Sequence, residues 1–184
     1  ASMLNEMVSA RVYLQVPSII VTSTLAAKRE LKRLGRDPLA SIGLHFSGFF
    51  SGTAGLILSA ESASRLLAVL TDEKGWVGGD LDPVKAETLN EVGNIIINGV
   101  MGSIGNVFRK RISYSLTKYS EGTVENLLSP NDSAPDDTVL LVRTRFMVRE
   151  IQVEGDIVLL FEVGSFDVLL AAIDSFNSDS GEHT

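Results

Sequence analysis

Apolar and polar side chains alternate along Arg11-Val12-Tyr13-Leu14-Gln15-Val16, and they alternate again 100 positions later along Arg111-Ile112-Ser113-Tyr114-Ser115-Leu116. A period of two marks a strand with one buried face. Farther on, Gly52-Thr53-Ala54-Gly55-Leu56-Ile57-Leu58 is matched 103 positions later by Gly155-Asp156-Ile157-Val158-Leu159-Leu160-Phe161. The same spacing carries through Ser62/Ser165, Leu66/Leu169, Leu67/Leu170 and Ala68/Ala171, so an insertion of three residues in the second copy reconciles the two registers. Self-similarity of this kind signals a duplicated unit. Each copy reads as helix, strand, variable connection, two strands, helix, over about residues 1–80 and 81–174 of a single domain. The predicted class is α+β: an internally duplicated helix-strand-strand-strand-helix unit whose largely antiparallel sheet is packed by long helices. Neither copy is expected to fold alone.

The closing helix of each copy is predicted to start near Glu61 and Ser165, with Ser59 and Ser165 as N-caps. The stretch Ser120–Asp137, rich in Ser, Pro, Asp and Asn, predicts the long loop of the second copy, and the polar tail 175–184 is expected to be disordered. The longest helical pattern begins at Asp82-Pro83, where Asp caps free N–H groups and Pro has no N–H to lose, and runs to about Phe108. Leu89, Val92, Ile96, Val100, Ile104 and Val107 form its apolar face.

On the other side of that helix, at about 100° per residue, Glu87, Glu91, Asn94 and Asn98 fall within roughly 60° of one another, and Gly102 and Gly105 extend the stripe. Each Gly gives up about 0.8–1.0 kcal/mol of helix propensity relative to Ala. An ordinary solvated face carries Lys, Glu, Gln or Ala instead. Two readings stay open at this point. The stripe is a solvated face whose glycines admit a neighbouring element, or it is a recognition and catalytic face on which Glu91 and Asn94, one turn apart, reach the same point in space.

Composition narrows the chemistry. The 184 residues carry Lys+Arg 16 against Asp+Glu 23, a net charge of −7, the wrong sign for binding a nucleic-acid backbone through the whole surface. With no cysteine, there is no disulfide scaffold, thiolate metal site or Cys nucleophile. His45 and His183 are the only histidines, too few for a His-based triad or zinc centre. No apolar run reaches the ~20 residues needed to span a bilayer, and Ala1-Ser2-Met3-Leu4-Asn5-Glu6 lacks the basic and apolar regions of a signal peptide, so a cytoplasmic location without membrane insertion is expected. Gly99, Gly102 and Gly105 lie inside a helix and make no dinucleotide fingerprint. Lys28, Arg29, Lys32, Arg33 and Arg36 read as cations near a helix C-terminus, with a contact for an acidic partner as the other reading. Trp76, between glycines, is either an interface anchor or loop packing.

Glu91-Val92-Gly93-Asn94 on a long helix, with Glu87 four positions earlier, resembles the E-x-x-N signature of the CheC/CheX phosphatases of bacterial chemotaxis. Phe46-Ser47-Gly48-Phe49-Phe50-Ser51-Gly52-Thr53-Ala54-Gly55-Leu56-Ile57-Leu58 and the Ser-rich helix after it resemble the strand-strand-helix unit of those proteins, and the likeness covers about residues 10–174. The chain departs from the family pattern in two places. Glu87 stands where the motif has Ser or Asp, and Leu116-Thr117-Lys118 stands where it has a proline; Pro17 is retained opposite Thr117. A second E-x-x-N in the first copy would fall before residue 1, so a single site is expected, as in CheX-like members.

The resemblance implies hydrolysis of an aspartyl phosphate on a CheY-like response regulator, ending a chemotaxis or other two-component signal. The regulator brings Mg²⁺ and cationic groups, so no cofactor or metal of the chain's own is implied. What remains is to set a water in line with phosphorus. A carboxamide both donates and accepts, which suits Asn94. Glu91 is implied to pair with the regulator's active-site lysine, and Glu87, Asn98 and Gly102 to meet its surface. The other function implied is that of a non-catalytic CheC-like adaptor binding a regulator, a flagellar-switch component or a receptor-associated protein. A homodimer through an exposed edge strand is a further expectation.

Overall fold

The computed structural model describes residues 12–15, 17–33, 39–71, 82–107, 109, 111–122 and 137–162. Among them are eight strands in one antiparallel sheet: β1 Val12–Leu14, β2 Ser18–Ser23, β3 Leu39–Gly48, β4 Gly52–Ser59, β5 Ile112–Tyr114, β6 Lys118–Gly122, β7 Thr138–Val148 and β8 Val153–Glu162. Three α-helices accompany them among the described residues: α1 Thr24–Lys32, α2 Ala60–Thr71 and α3 Pro83–Val107. The sheet runs β1-β7-β8-β4-β3-β5, with β2 also on β7 and β6 also on β3. The class and the antiparallel sheet are those expected from the sequence.

The duplication is visible as a pseudo-two-fold axis between β4 and β8. Gly52 pairs Phe161 and Leu58 pairs Gly155, so each pair becomes the other on a shift of 103 residues. The outer strands obey the shift of 100: Val12 pairs Val148 as Ile112 pairs Gly48, and Ser18 pairs Arg143 as Lys118 pairs Gly43. The three-residue insertion lies in the second hairpin, where a 3₁₀ turn at Arg149–Ile151 widens the connection between β7 and β8.

Each copy contains one strand more than the sequence predicts. The expected first strand breaks in two, because the register steps from Leu14 opposite Phe146 to Ser18 opposite Arg143, and from Tyr114 opposite Phe46 to Lys118 opposite Gly43. One extra residue against the partner strand is a β-bulge, and it recurs at the equivalent place in both copies. Gln15 N–H donates to the Arg145 carbonyl at 2.9 Å, and Ser115 N–H to the His45 carbonyl at 2.9 Å. Pro17, which has no N–H to give to the ladder, sits inside the first bulge. The variable connection of the first copy contains α1, capped by Ser23, whose Oγ accepts from Ala26 N–H at 3.2 Å. Lys28, Arg29, Lys32 and Arg33 of the basic cluster lie on or just after it, with Arg29 and Lys32 in the last turn. The predicted loop at 120–137 begins later than expected, since Ser120 belongs to β6 and pairs Ser41 across the free edge of β3. The Ser165 cap, Trp76 and the tail lie outside the described residues.

Strand alternation sorts the core onto two faces. Ile42, Leu44, Phe46, Leu56, Leu58, Leu159 and Phe161 are buried with Ala63, Leu66 and Leu67 of α2 and with Leu89, Val92, Ile97 and Met101 of α3. Ile57, Val139, Leu141, Val158 and Leu160 point the other way, toward Ala27 and Leu31 of α1. That is why β4 and β8 read as continuous apolar runs: the central strands are covered on both faces. Ser59 caps α2, its Oγ accepting from Ser62 N–H at 3.1 Å.

Two equivalent glycines serve the cross-strand aromatics. Gly52 stands opposite Phe46, and Gly155 opposite Phe146. A Cβ on Gly155 would strike the Phe146 ring and come within 2.8 Å of the Ile57 carbonyl oxygen. Gly155→Ala is therefore expected to cost about 1–3 kcal/mol in urea unfolding, the usual range for overpacking. Trimming the ring with Phe146→Leu should recover part of that loss, so the two substitutions are less than additive.

Candidate functional site

Helix α3 is held at its start by Asp82, whose Oδ1 accepts from Lys85 N–H at 3.0 Å while Oδ2 lies 3.0 Å from Lys85 Nζ. The Lys85 backbone N–H, helped by the ammonium, holds the Asp82 carboxyl below the usual carboxylate range. Along the helix, Leu89, Val92, Ile97 and Met101 are fully buried, and Ile96, Val100 and Ile104 pack against the same core. Gly93 makes the close approach to the sheet: a Cβ there would lie 2.6 Å from Ile42 Cβ on β3. This glycine, inside Glu91-Val92-Gly93-Asn94, sets how deeply α3 seats.

The buried side takes in Ile97 and Met101 as well as Leu89 and Val92, so of the expected polar stripe the carboxylates are exposed and the carboxamides lie on its half-buried flank. Glu87 and Glu91 are exposed, and neither carboxylate forms an ion pair or hydrogen bond with another described residue. Asn94 and Asn98 are half-buried, and Asn98 Nδ2 donates to Asn94 Oδ1 at 2.7 Å. Asn98 is thus engaged with Asn94 as well as lying on the surface assigned to a partner. Gly102 is half-buried and Gly99 exposed, and a Cβ on either would meet nothing within 4 Å. These two glycines do not admit a neighbouring described element, and the close-packing role falls to Gly93 instead.

Sequence reasoning missed Asn90. It lies four residues before Asn94, as Asn98 lies four after, so three carboxamides rise along α3 at one-turn intervals. Asn90 Oδ1 and Asn98 Oδ1 are buried without a hydrogen-bond partner among the described residues. The i, i+4, i+8 spacing was the available signal. It went unread because Asn90 lies next to Leu89 on the flank of the apolar face.

The remaining candidates stand apart from this face. His45 is exposed on β3, its Nδ1 3.2 Å from Thr53 Oγ1, on the sheet side away from α3. Arg33 pairs with Glu30 at 3.2 Å on α1. No group of three or more His, Cys, Asp or Glu able to hold a metal occurs among the described residues. None of the described helices is long and apolar enough to cross a membrane.

What α3 presents is a pair of unpaired carboxylates, then a carboxamide steadied by a second one, then bare backbone. Such a face attracts a cation through Glu91 and Glu87 and offers both donor and acceptor at Asn94. None of Glu87, Glu91, Asn94 and Asn98 is a hydroxyl, thiol or imidazole.

No protein-family model matches the sequence, and no curated protein sequence matches it. Solved structures do match its fold. FliY of Thermotoga maritima superposes with a TM-score of 0.72 at 14% identity, covering 97% of this chain and 88% of that one. FliM in a FliG–FliM complex from H. pylori gives 0.62 at 14%, covering 92% and 88%. A CheX–CheY–BeF3–Mg²⁺ complex from Borrelia burgdorferi gives 0.55 at 17%, covering 88% and 91%.

The glycines of α3 are expected to respond in opposite directions. Gly102→Ala has open space and should stabilise the protein by about 0.8–1.0 kcal/mol in urea unfolding, the propensity difference alone. Gly93→Ala gains the same propensity, but its overlap with Ile42 costs about 1–3 kcal/mol, so it should lower the midpoint. At the helix start, stability from Asp82 is fully present above the ordinary carboxylate value and is lost as pH falls through its lowered folded value. Asp82→Ala should therefore lower the melting temperature at neutral pH, and the deficit should vanish in strong acid.

Proposed function

We propose that this chain, which has the CheC/CheX fold, is a phosphatase that hydrolyses the aspartyl phosphate of a CheY-like receiver. The observation that carries the reading is the placing of Glu91 and Asn94 one turn apart on α3, the carboxylate exposed and unpaired among the described residues and the half-buried carboxamide held by Asn98. The similarity to CheX in its complex with CheY, BeF3 and Mg²⁺ supports the partner class.

In the proposed complex α3 enters the receiver's active-site cleft. Glu91 pairs with the receiver's lysine there; an exposed pair is worth only ~0–1 kcal/mol, so its value is to fix depth and register once the interface excludes water. Asn94 Oδ1 accepts from a water and turns that water's lone pair toward phosphorus, in line with the bond to be broken. The receiver's Mg²⁺ supplies charge neutralisation on the phosphoryl oxygens. No carboxylate or histidine on this chain has to act as a base, because a loose phosphoryl-transfer transition state needs little deprotonation of the attacking water. Glu87 adds a second anionic contact to a basic rim. The protein works in the cytoplasm, where two-component receivers are found, and an edge-paired homodimer is compatible with the edge of β2, which has no strand partner other than β7 among the described residues.

A second reading has its own support. FliY and FliM resemble this chain with higher TM-scores than CheX does, 0.72 and 0.62 against 0.55. On that reading the same α3 face is a docking surface in a flagellar-switch assembly, and no bond is broken.

The decay of a phosphorylated receiver separates the two. Substoichiometric wild-type protein should shorten its lifetime, Asn94→Ala should lower the accelerated rate on the order of 10²-fold, the scale of one positioned catalytic group, and the circular dichroism spectrum should not change. Glu91→Ala should raise KM. Tight binding of the receiver with no change in its lifetime would instead establish the scaffold.

A further inference from the structure

Asn94 has carboxamide neighbours one turn away on both sides, yet only one of them is bonded to it. Asn98 Nδ2 donates to Asn94 Oδ1 at 2.7 Å, whereas Asn90 makes no hydrogen bond to it. We infer that Asn98 is a positioning residue: its N–H holds the Asn94 carboxamide in one orientation, so that Nδ2 and the second lone pair of Oδ1 are both presented outward. The inference rests on the phosphatase reading and gives Asn98 a role other than contact with the partner.

Two polarities are open to an i, i+4 pair of carboxamides, and burial distinguishes them. In the observed one, the unsatisfied atom is Asn98 Oδ1, a single buried acceptor. Turning both amides over would place Asn98 Nδ2 there, with two N–H groups lacking partners. Orphaned buried N–H groups are rarer in folded proteins than under-satisfied carbonyl oxygens. Asn98 is thus set as the donor by its own surroundings, and Asn94, with one acceptor site on Oδ1 taken, is set in turn. The water then donates to the remaining lone pair of Oδ1 and keeps its own lone pair for phosphorus. Asn94 Nδ2 is left to donate to a phosphoryl oxygen.

A side chain fixed before the partner arrives has no rotamer to find in the transition state, so the effect belongs to kcat and not to KM. Asn98→Leu, close in shape and unable to donate, should reduce kcat roughly 10- to 10²-fold with KM for the phosphorylated receiver unchanged. Asn98→Asp separates hydrogen bonding from packing. Its carboxylate accepts but does not donate, which draws Asn94 Nδ2 inward. Relative to wild type at each pH, the Asn98→Asp protein should be slow near neutrality and recover as acid restores an O–H donor, whereas Asn98→Leu should show no recovery. A raised KM with unchanged kcat in Asn98→Leu would make Asn98 a docking contact and overturn the inference, as would the absence of acid recovery in Asn98→Asp.

The hold itself can be read without turnover, from the side-chain ¹H–¹⁵N pair of Asn94 by NMR. Two distinct, protected resonances in wild type that lose protection in Asn98→Leu support it. An active wild type whose Asn94 resonances are the same in both proteins overturns it while leaving the phosphatase reading in place. An inactive wild type that retains the Asn98-dependent signature overturns the phosphatase reading and leaves the hold supported.

Discussion

β4 lies against β8 from Gly52 to Leu58, and the two copies of the repeat meet along that seam. The outer strands are exchanged across it. β1 and β2 from the first copy complete the sheet on β7 of the second, while β5 and β6 from the second complete it on β3 of the first. Neither copy can therefore satisfy its own strand edges or bury its own core, so the expectation that neither folds alone has a structural cause. Most of the pairing is between residues far apart in sequence, which makes folding a single cooperative event with a high loop-closure cost.

The seam also fixes where the helix face sits. α3 crosses onto β3 and β4 of the first copy although it begins the second, and Gly93 against Ile42 sets its height above the sheet. Four fully buried side chains, Leu89, Val92, Ile97 and Met101, each contribute about 1.5–3 kcal/mol. Asn and Gly on the outer side cost under ~1 kcal/mol of propensity apiece. Burial wins, and the helix can carry an outer face poor in helix formers. The propensity deficit of those outer positions is offset by the buried side, which leaves the choice of outer residues open to function.

Periodicity and repetition were legible because both are pairwise patterns in one dimension. The spacings of 100 and 103 described the strand registers closely, and Asp82-Pro83 marked the start of α3. The bulges were not legible. An extra residue opposite a partner strand becomes visible only when the partner is known, and the second bulge, at Ser115-Leu116-Thr117, lacks even the proline of the first. The role of Gly93 was hidden for the same reason, since its contact is with Ile42, 51 positions earlier. Of the site, Glu87, Glu91, Asn94 and Asn98 could be placed on one face from their angles alone. The bond between Asn98 and Asn94, and the two buried amide oxygens beside it, depend on burial that no helical wheel contains.

That bond bears on the choice between enzyme and scaffold. A docking surface gains little from holding one carboxamide still, because a partner can meet either of its polarities with a donor or an acceptor of its own. A water to be aimed at phosphorus has no such freedom, since its approach must be in line and its hydrogen must find an acceptor already in place. Keeping Asn98 Oδ1 and Asn90 Oδ1 buried without partners among the described residues carries a desolvation cost of about 1–3 kcal/mol for each group. A surface used only for binding would do better with Ala or Leu at those positions, both of which also favour the helix. A costly amide bonded to the half-buried Asn94 is what orientation demands and adhesion does not, which favours the proposed chemistry over the scaffold.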